Sequence, residues 1–167
     1  MNDPVSPTPR RSGRELAAAI ARWVLGGVMI YMGVSKALHP VDFLKIVRQY
    51  EMVENHVALN LIAAALPWFE IFCGLLLVCG IAVRGSALLC LAMLIPFTWI
   101  VLQRALAIRE AKAIPFCAIQ FDCGCGGGEV IICHKLLENG LLILMSALLV
   151  IGANRRWCLR HDLRKAG

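Results

Sequence analysis

Four long apolar segments constrain the fold of this chain more than any other feature of its sequence. They cover residues 16–38, 57–83, 85–108 and 136–153. A helix needs about 20 mainly apolar residues to cross a bilayer, and only helices and closed barrels satisfy their backbone hydrogen bonds there. The chain is 59% hydrophobic and 17% charged, which is less charge than a soluble domain carries. We therefore predict an all-α integral membrane protein, built as an antiparallel four-transmembrane-helix bundle.

Two polar tails flank the predicted membrane domain, which covers residues 16–153. Residues 1–15 contain three prolines and are predicted to form a disordered tail. Residues 154–167 contain five basic residues, and basic flanks favour the cytoplasmic side. We predict a multi-pass protein of a bacterial inner (plasma) membrane, with both termini in the cytoplasm. Because the basic residues cluster at the termini and form no basic face, the net charge of +6 indicates a lipid bilayer as the partner and no nucleic acid.

A short amphipathic stretch follows the first apolar segment. Pro40 stands where a helix can begin without losing a hydrogen bond, and Phe43, Ile46 and Tyr50 recur at helical spacing on one face. The pattern predicts a short helix over residues 40–53. We predict a short interfacial helix; the alternative is a helix packed against the bundle.

The predicted loop between the third and fourth apolar segments, residues 109–135, holds half of the eight cysteines. They are Cys117, Cys123, Cys125 and Cys133. The predicted topology places this loop in the periplasm, where disulfides form and persist. A disulfide between Cys123 and Cys125 would close a very small ring, and strained, exposed disulfides are the labile or catalytic ones. We predict Cys123 and Cys125 as a redox pair, with Cys117 and Cys133 forming an auxiliary redox pair or a structural disulfide.

Two other interpretations of these cysteines stay open. Four cysteines allow three pairings, and Cys117 with Cys123 and Cys125 with Cys133 would give two structural disulfides. Four thiolates could instead hold zinc or an iron–sulfur cluster, although their spacing matches no familiar ligand pattern, so no metal ligand is assigned. Asp122 lies next to Cys123 and disfavours its thiolate.

Glu70 is the second indication of function, because it is the only charged residue of the second apolar segment. Ionisable residues deep in a membrane span are costly and mark functional sites. Lys36 is its predicted partner, since both residues lie toward the outer half of antiparallel neighbours. Such a pair either fixes the register of two helices or handles protons when a thiol pair is oxidised or reduced. Asn139, in the fourth segment, could join this polar network.

Three motifs in this order resemble those of the DoxX-like family, and most closely its MauE branch of methylamine utilisation proteins. They are Gly33-Val-Ser-Lys36, Pro67-Trp-Phe-Glu70 and Asp122-Cys-Gly-Cys125-Gly. The resemblance covers residues 16–153. It implies a four-helix membrane bundle with a redox-associated role, in which a thioredoxin-like partner helps to mature the disulfide-rich small subunit of methylamine dehydrogenase.

The resemblance also implies roles for individual residues. Cys123 and Cys125 would be the redox pair, and Lys36 and Glu70 the intramembrane polar pair. The chain departs from the family at residues 126–128, which are all glycine, whereas family members often have an aromatic residue after the second cysteine.

These observations predict a membrane protein that supports periplasmic thiol–disulfide chemistry with a thioredoxin-like protein or a disulfide-containing client. As an enzyme it would be a thiol–disulfide oxidoreductase with a membrane electron acceptor. Quinone is the candidate acceptor, by analogy of architecture with other disulfide-generating four-helix proteins. The alternatives are a non-catalytic membrane assembly factor or anchor subunit with structural disulfides, and a metal-binding loop.

Overall fold

Four long helices dominate the part of the chain that the structure describes. A computed structural model describes the protein over residues 9–49, 55–122 and 128–152. Its elements, in chain order, are the helices α1 (Pro9–Leu38), α2 (Pro40–Gln49), α3 (His56–Cys79) and α4 (Val83–Lys112), a 3-10 turn (Phe116–Ala118), the strands β1 (Gln120–Asp122) and β2 (Glu129–Ile131), and the helix α5 (Ile132–Ile151). The helices α1, α3, α4 and α5 are each long and apolar enough to cross a membrane, which confirms the predicted all-α membrane fold.

The four long helices form a closed bundle, because α3 packs against α1 and α4, and α5 packs against α4 and α1. The core consists of inward-facing apolar side chains from all four helices: Leu25, Met29, Cys73, Leu77, Ala87, Cys90, Leu94, Leu142 and Leu149. Large apolar side chains on the outer faces, such as Trp23, Phe72, Trp99 and Leu144, are exposed. On a membrane-spanning bundle these outer faces lie against lipid, which is as apolar as the core.

Glycines allow α1 and α3 to approach each other closely. A Cβ atom added at Gly26 would lie 2.8 Å from the carbonyl oxygen of Gly74, and one added at Gly74 would lie 2.7 Å from that of Gly26. A Cβ atom added at Gly33 would lie 2.6 Å from the carbonyl oxygen of Pro67. Since small residues permit close contact between membrane helices, this glycine seam fixes the antiparallel register of α1 and α3.

A tight turn joins α3 to α4 and corrects two predicted boundaries. Gly80 adopts a φ of 71°, and its N–H donates to the carbonyl of Leu77 at 3.1 Å. The N–H of Ile81 donates to the carbonyl of Leu76 at 2.9 Å. These two bonds form a Schellman cap, which a left-handed glycine favours. As a result α3 ends four residues earlier than predicted, and α4 begins two residues earlier than predicted.

The described N-terminal residues also correct the prediction. Helix α1 begins at Pro9, so residues 9–15 are helical and do not belong to a disordered tail. Proline is favoured at the first helical position, and extending an existing helix is easier than starting one. The rest of that predicted tail, residues 1–8, and the predicted basic tail, residues 154–167, lie outside the described residues.

The predicted cysteine-rich loop is shorter than expected and contains a β-hairpin that we did not predict. Helix α4 continues to Lys112, and α5 begins at Ile132, because helical residues extend beyond the apolar segments that set the predicted limits. The two strands pair antiparallel, with Asp122 opposite Glu129. Each strand has three residues, which is too short for an alternating pattern to be recognised.

Helix α2 packs against α1 and α3. It begins at Pro40, as predicted, and Phe43 on one face is buried, whereas Asp42 and Lys45 on the other face are exposed. The helix therefore lies against the bundle, which is one of the two predicted arrangements. The predicted last part of this helix, residues 50–53, lies outside the described residues.

Candidate functional site

The hairpin lies at the end of the bundle where α1 and α4 finish and where α3 and α5 begin; we call this the hairpin end. The segment that joins its strands, residues 123–127, lies outside the described residues. The predicted redox cysteines, Cys123 and Cys125, belong to this segment. Asp122 and Gly128 are the described residues that flank this segment.

A disulfide closes the base of the hairpin. Cys117, in the 3-10 turn, is bonded to Cys133, in the first turn of α5, and their Cα atoms are 5.2 Å apart. This pairing excludes the alternative in which Cys117 bonds Cys123 and Cys133 bonds Cys125. The bond ties the start of the hairpin to the helix that follows it.

Two buried isoleucines anchor the hairpin on the bundle. Ile119 and Ile132 are fully buried, in one cluster with Met32 of α1 and with Val101 and Ala105 of α4. The N–H of Ile132 donates to the carbonyl of Ile119 at 3.1 Å, which continues the strand pairing to the first residue of α5. The hairpin is therefore held in place by apolar packing, by backbone hydrogen bonds and by the disulfide.

Lys36 and Glu70 form a buried ion pair at the hairpin end. Lys36 Nζ donates to Glu70 Oε1 at 2.5 Å, and the two side chains are only 3% and 7% exposed. The ammonium also lies 5.4 Å from the centre of the Phe43 ring and 5.8 Å from that of Phe97. Glu70 Oε2 is buried, and no described residue bonds to it. The pair is thus enclosed by protein, while one carboxylate oxygen has no partner among the described residues.

The glycine seam explains why these two side chains meet. Gly33 contacts the backbone of α3 at Pro67 and Ile71, which brings the two helices together one turn from Lys36. Side chains on a helix lean toward its N-terminus. Because α1 and α3 run in opposite directions, the Lys36 side chain leans away from the hairpin end and the Glu70 side chain leans toward it. Their charged groups therefore reach each other.

A cavity of about 240 Å³ lies over this pair. Its lining residues come from the end of α1, the α1–α2 junction, α2, the last residue of β1 and the residue before β2: Ser35, Lys36, His39, Asp42, Phe43, Ile46, Asp122 and Gly128. The cavity therefore extends from Lys36 to the two residues that flank segment 123–127. We did not predict Ser35, His39 or Asp42 as site residues, because only the fold brings them together with the hairpin.

The acidic residue that α2 contributes to the cavity is paired with a neighbour. Asp42 accepts a hydrogen bond from Lys45 Nζ at 3.0 Å. This hydrogen bond and the nearby positive charge hold the pKa of the Asp42 carboxyl below its ordinary value. Lys45 therefore neutralises the charge of Asp42.

Asn139 does not bond to Glu70 in the described structure, although we predicted that it could join that network. Its Nδ2 donates to Thr98 Oγ1 at 3.1 Å, and Thr98 Oγ1 donates to the carbonyl of Leu94 at 2.6 Å. Asn139 is fully buried, and its Oδ1 has no described partner. A second polar contact thus joins α4 to α5 inside the bundle, whereas we had predicted that Asn139 could belong to the network of Glu70.

The described residues contain no group of three or more His, Cys, Asp or Glu side chains that could hold a metal ion. Two of the four loop cysteines form a disulfide, and disulfide sulfurs are not the thiolates that zinc and iron–sulfur clusters require. The four-thiolate site considered above is therefore not available while the Cys117–Cys133 bond is intact.

Comparison with known proteins gives one match. The protein-family model described as methylamine utilisation protein MauE matches residues 14–152. No curated protein and no solved structure matches the chain. The matched range includes α1 from residue 14 onward, the other three long helices, both strands and the four cysteines of the hairpin region.

Proposed function

The chain belongs to the MauE family of methylamine utilisation proteins and is a multi-pass membrane protein of that family, and we propose that it exchanges disulfides with a partner protein through Cys123 and Cys125. The partner is a thioredoxin-like protein or a disulfide-containing client. The hairpin end faces the periplasm, and both termini lie in the cytoplasm, because the basic tails favour that side.

The observation that carries this proposal is the Cys117–Cys133 disulfide. It accounts for two of the four cysteines in the hairpin region, so the two that remain for exchange are Cys123 and Cys125. Only one residue separates them. A disulfide across so small a ring departs from relaxed geometry, and strained, exposed disulfides exchange most readily.

The exchange balances without any further reactant. A partner thiolate attacks one sulfur of the Cys123–Cys125 disulfide, which forms a mixed disulfide and releases the other cysteine as a thiolate. The second thiol of the partner then loses its proton and attacks the mixed disulfide. The partner leaves oxidised by two electrons, and Cys123 and Cys125 retain those electrons and two protons as thiols.

One feature of the hairpin favours a second candidate function. The Cys117–Cys133 bond and the buried Ile119 and Ile132 hold the hairpin rigidly on the bundle, as expected of a docking surface in a membrane assembly factor. In that case all cysteines of the region are structural, and changing them lowers the amount of folded protein without changing any turnover.

The test is to label thiols on intact spheroplasts with a membrane-impermeant maleimide, before and after mild reduction, and to map the labelled cysteines by mass spectrometry. We expect Cys123 and Cys125 to be labelled only after mild reduction, and Cys117 and Cys133 only after strong reduction. The Cys123→Ser/Cys125→Ser variant should abolish disulfide formation in a client, at unchanged protein abundance.

The matched control is Cys117→Ser/Cys133→Ser, which removes the same number of cysteines from the same region. It should lower abundance while Cys123 and Cys125 still exchange. If Cys123 and Cys125 resist mild reduction and both double variants only lower abundance, the assembly-factor function replaces the exchange function. Labelling of Cys123 and Cys125 without any reductant would contradict the oxidised pair, and no labelling even after strong reduction would contradict their periplasmic location.

A further inference from the structure

We propose that the core of the bundle contains a binding site for a soft monovalent metal ion, copper(I), formed by five sulfur-containing side chains that we call the sulfur layer. They are Met29 of α1, Cys73 of α3, Cys90 and Met93 of α4, and Met145 of α5. All five lie in the described part of the chain. The inference does not depend on the exchange function, because it involves none of the cysteines of the hairpin region.

The five side chains belong to one region of the core. Cys73 and Cys90 are fully buried, and Met29 is 1% exposed. Met93 and Met145 are partly buried and pack against the same apolar cluster. Cys73 and Cys90 are free thiols. Each of the four long helices therefore contributes at least one sulfur atom to this region.

Met29 and Cys73 lie at the same level of the bundle. A Cβ atom added at Gly74 would lie 3.0 Å from the backbone nitrogen of Ile30, so these two residues meet across the glycine seam. Met29 directly precedes Ile30, and Cys73 directly precedes Gly74. Because a helix rises about 1.5 Å per residue, each of the two sulfur-containing residues is one small step from the contact.

Cys73 and Cys90 also lie at nearly the same level, on two helices that pack against each other. Cys73 is six residues before Cys79, the last residue of α3, and Cys90 is seven residues after Val83, the first residue of α4. The two cysteines are therefore about 9 and about 10.5 Å along the helices from the tight turn that joins them. Since both belong to the same buried cluster, both thiols face the core at this level.

Met145 and Met93 complete the layer. The hydrogen bond from Asn139 to Thr98 aligns α5 with α4. From this bond toward the turn between α3 and α4, Met93 is five residues away, Met145 six and Cys90 eight, which corresponds to about 7.5, 9 and 12 Å. Methionine is unbranched and flexible, so its sulfur can reach across the distance that separates these residues.

Apolar packing alone does not require sulfur at these positions, because leucine and methionine replace each other in cores at little cost. Three of the four methionines and two of the three free cysteines in the described part of the chain nevertheless belong to the sulfur layer. The site differs from the four-thiolate site considered above, since most of its sulfur atoms are thioethers. Thiolate and thioether ligands are soft and select copper(I).

The binding step balances without an oxidant or a reductant. One thiol releases its proton to water as its sulfur bonds to copper(I), and the other sulfur atoms coordinate as neutral donors. A singly charged ion thus replaces a proton, so the loaded site has the same net charge as the protonated one. This conservation of charge suits a buried site, because an additional buried charge would be costly.

The experiment counts the copper(I) ions that the purified full-length protein retains in detergent. The protein is loaded with copper(I) in the presence of ascorbate, challenged with the copper(I) chelator bicinchoninate, and analysed for metal content by mass spectrometry. We expect the wild type to retain one ion per chain more than Cys73→Ser or Cys90→Ser. X-ray absorption at the copper K edge should show that this ion has sulfur ligands.

The variants are chosen to keep the core intact. Serine is close to cysteine in size, and a buried serine of this bundle, Ser146, already bonds to the carbonyl of Leu142 at 2.8 Å. Met29→Leu removes a thioether at nearly constant volume. It should weaken copper(I) binding by about tenfold or more, because losing even an outer-shell partner costs about 10–100-fold in metal affinity. Elution as a single peak in gel filtration checks that each variant is folded.

Two matched controls remove the same sulfur atoms from outside the layer. Cys79→Ser removes a free thiol of α3 that is exposed. Met32→Leu removes a methionine of α1 that is also buried but belongs to the other apolar cluster. Both controls should retain as much copper(I) as the wild type.

Equal retention in the wild type, in both serine variants and in Met29→Leu would overturn the site, and the sulfur layer would then be packing only. Equal losses in the layer variants and in the controls would also overturn it, because the protein would then bind an adventitious ion only. Silver(I), which is likewise soft and monovalent, should compete with copper(I) for the site, whereas zinc(II) should not. If zinc(II) displaces the copper(I), the assigned class of metal ion is wrong.

Discussion

The two ends of the bundle are built very differently. At the hairpin end the chain adds the helix α2, the β-hairpin, a disulfide and a cavity over a buried ion pair. At the opposite end, the connection between α3 and α4 is a tight turn closed by two backbone hydrogen bonds around Gly80. The scaffold between the ends does not share this asymmetry, because glycines bring α1 and α3 together both at Gly26 and at Gly33.

This difference indicates that the elements at the hairpin end serve function more than stability. Replacing a buried ion pair by apolar residues of similar volume is often neutral or stabilising, so a bundle selected only for stability has no need of Lys36 and Glu70. The turn at Gly80 shows that two spans of this chain can be joined by very few residues. The hairpin end therefore retains groups that the fold alone does not require.

The largest expected effect comes from breaking the ion pair on one side only. Glu70→Leu leaves the Lys36 ammonium buried without a carboxylate, and we expect the free energy of unfolding to fall by about 3–5 kcal/mol. The measurement is an unfolding titration with sodium dodecyl sulfate in mixed micelles. In Lys36→Met/Glu70→Leu, both charges are absent, and most of the loss should be recovered. If the double variant is as unstable as the single one, the hairpin end depends on the pair for stability, and the contrast between the two ends is wrong.

An intermediate effect is expected from the glycine seam, which tests whether the scaffold is the same at both ends. In Gly26→Ala and Gly33→Ala the new methyl group meets the backbone of α3 at 2.8 and 2.6 Å. A backbone atom cannot move aside as a flexible side chain can, so each variant should lose about 1–3 kcal/mol of unfolding free energy, as overpacked cores do.

Gly27→Ala is the control for the seam, because it adds the same methyl group one residue away, where nothing lies within 4 Å. It should be neutral or stabilising by up to about 1 kcal/mol, since alanine favours the helix more than glycine does. A loss at Gly26 without a loss at Gly33 would show that the seam is looser at the hairpin end.

The sequence predicted two kinds of feature, namely long apolar helices and a charged residue whose burial is costly without a partner. Four apolar segments specified the helices of the bundle, and Glu70 stood out because a charge in such a segment needs a partner. Lys36 was identifiable as that partner because both residues had to lie toward the same membrane face. The structure places the two in direct contact.

The parts that could not be predicted depend on contacts between distant segments or on short local geometry. The strands β1 and β2 have three residues each, and their pairing depends on the anchoring of Ile119 and Ile132. The cavity exists only because the fold brings α2 and the hairpin to the same end of α1. Gly80 would have allowed us to predict the end of α3, since a glycine after an apolar helical run is the usual C-terminal cap.

The smallest expected effect concerns the exposed pair of Asp42 and Lys45, whose side chains are each 67% exposed. The hydrogen bond from Lys45, together with its charge, lowers the pKa of Asp42 from its ordinary value of 3.8. A carboxyl with a lowered pKa in the folded state stabilises the fold above its ordinary pKa, and this contribution disappears as the pH falls through the lowered pKa. Lys45→Met should therefore return the pKa of Asp42 toward its ordinary value, as measured by carboxyl NMR of protein with labelled aspartate.

The unfolding transition at pH 7 should not change measurably in Lys45→Met, because exposed ion pairs are weak and screened by salt. A clear loss of stability in Lys45→Met would mean that charge at the surface of the hairpin end matters as much as the buried pair, and burial would then not be what distinguishes Lys36 and Glu70.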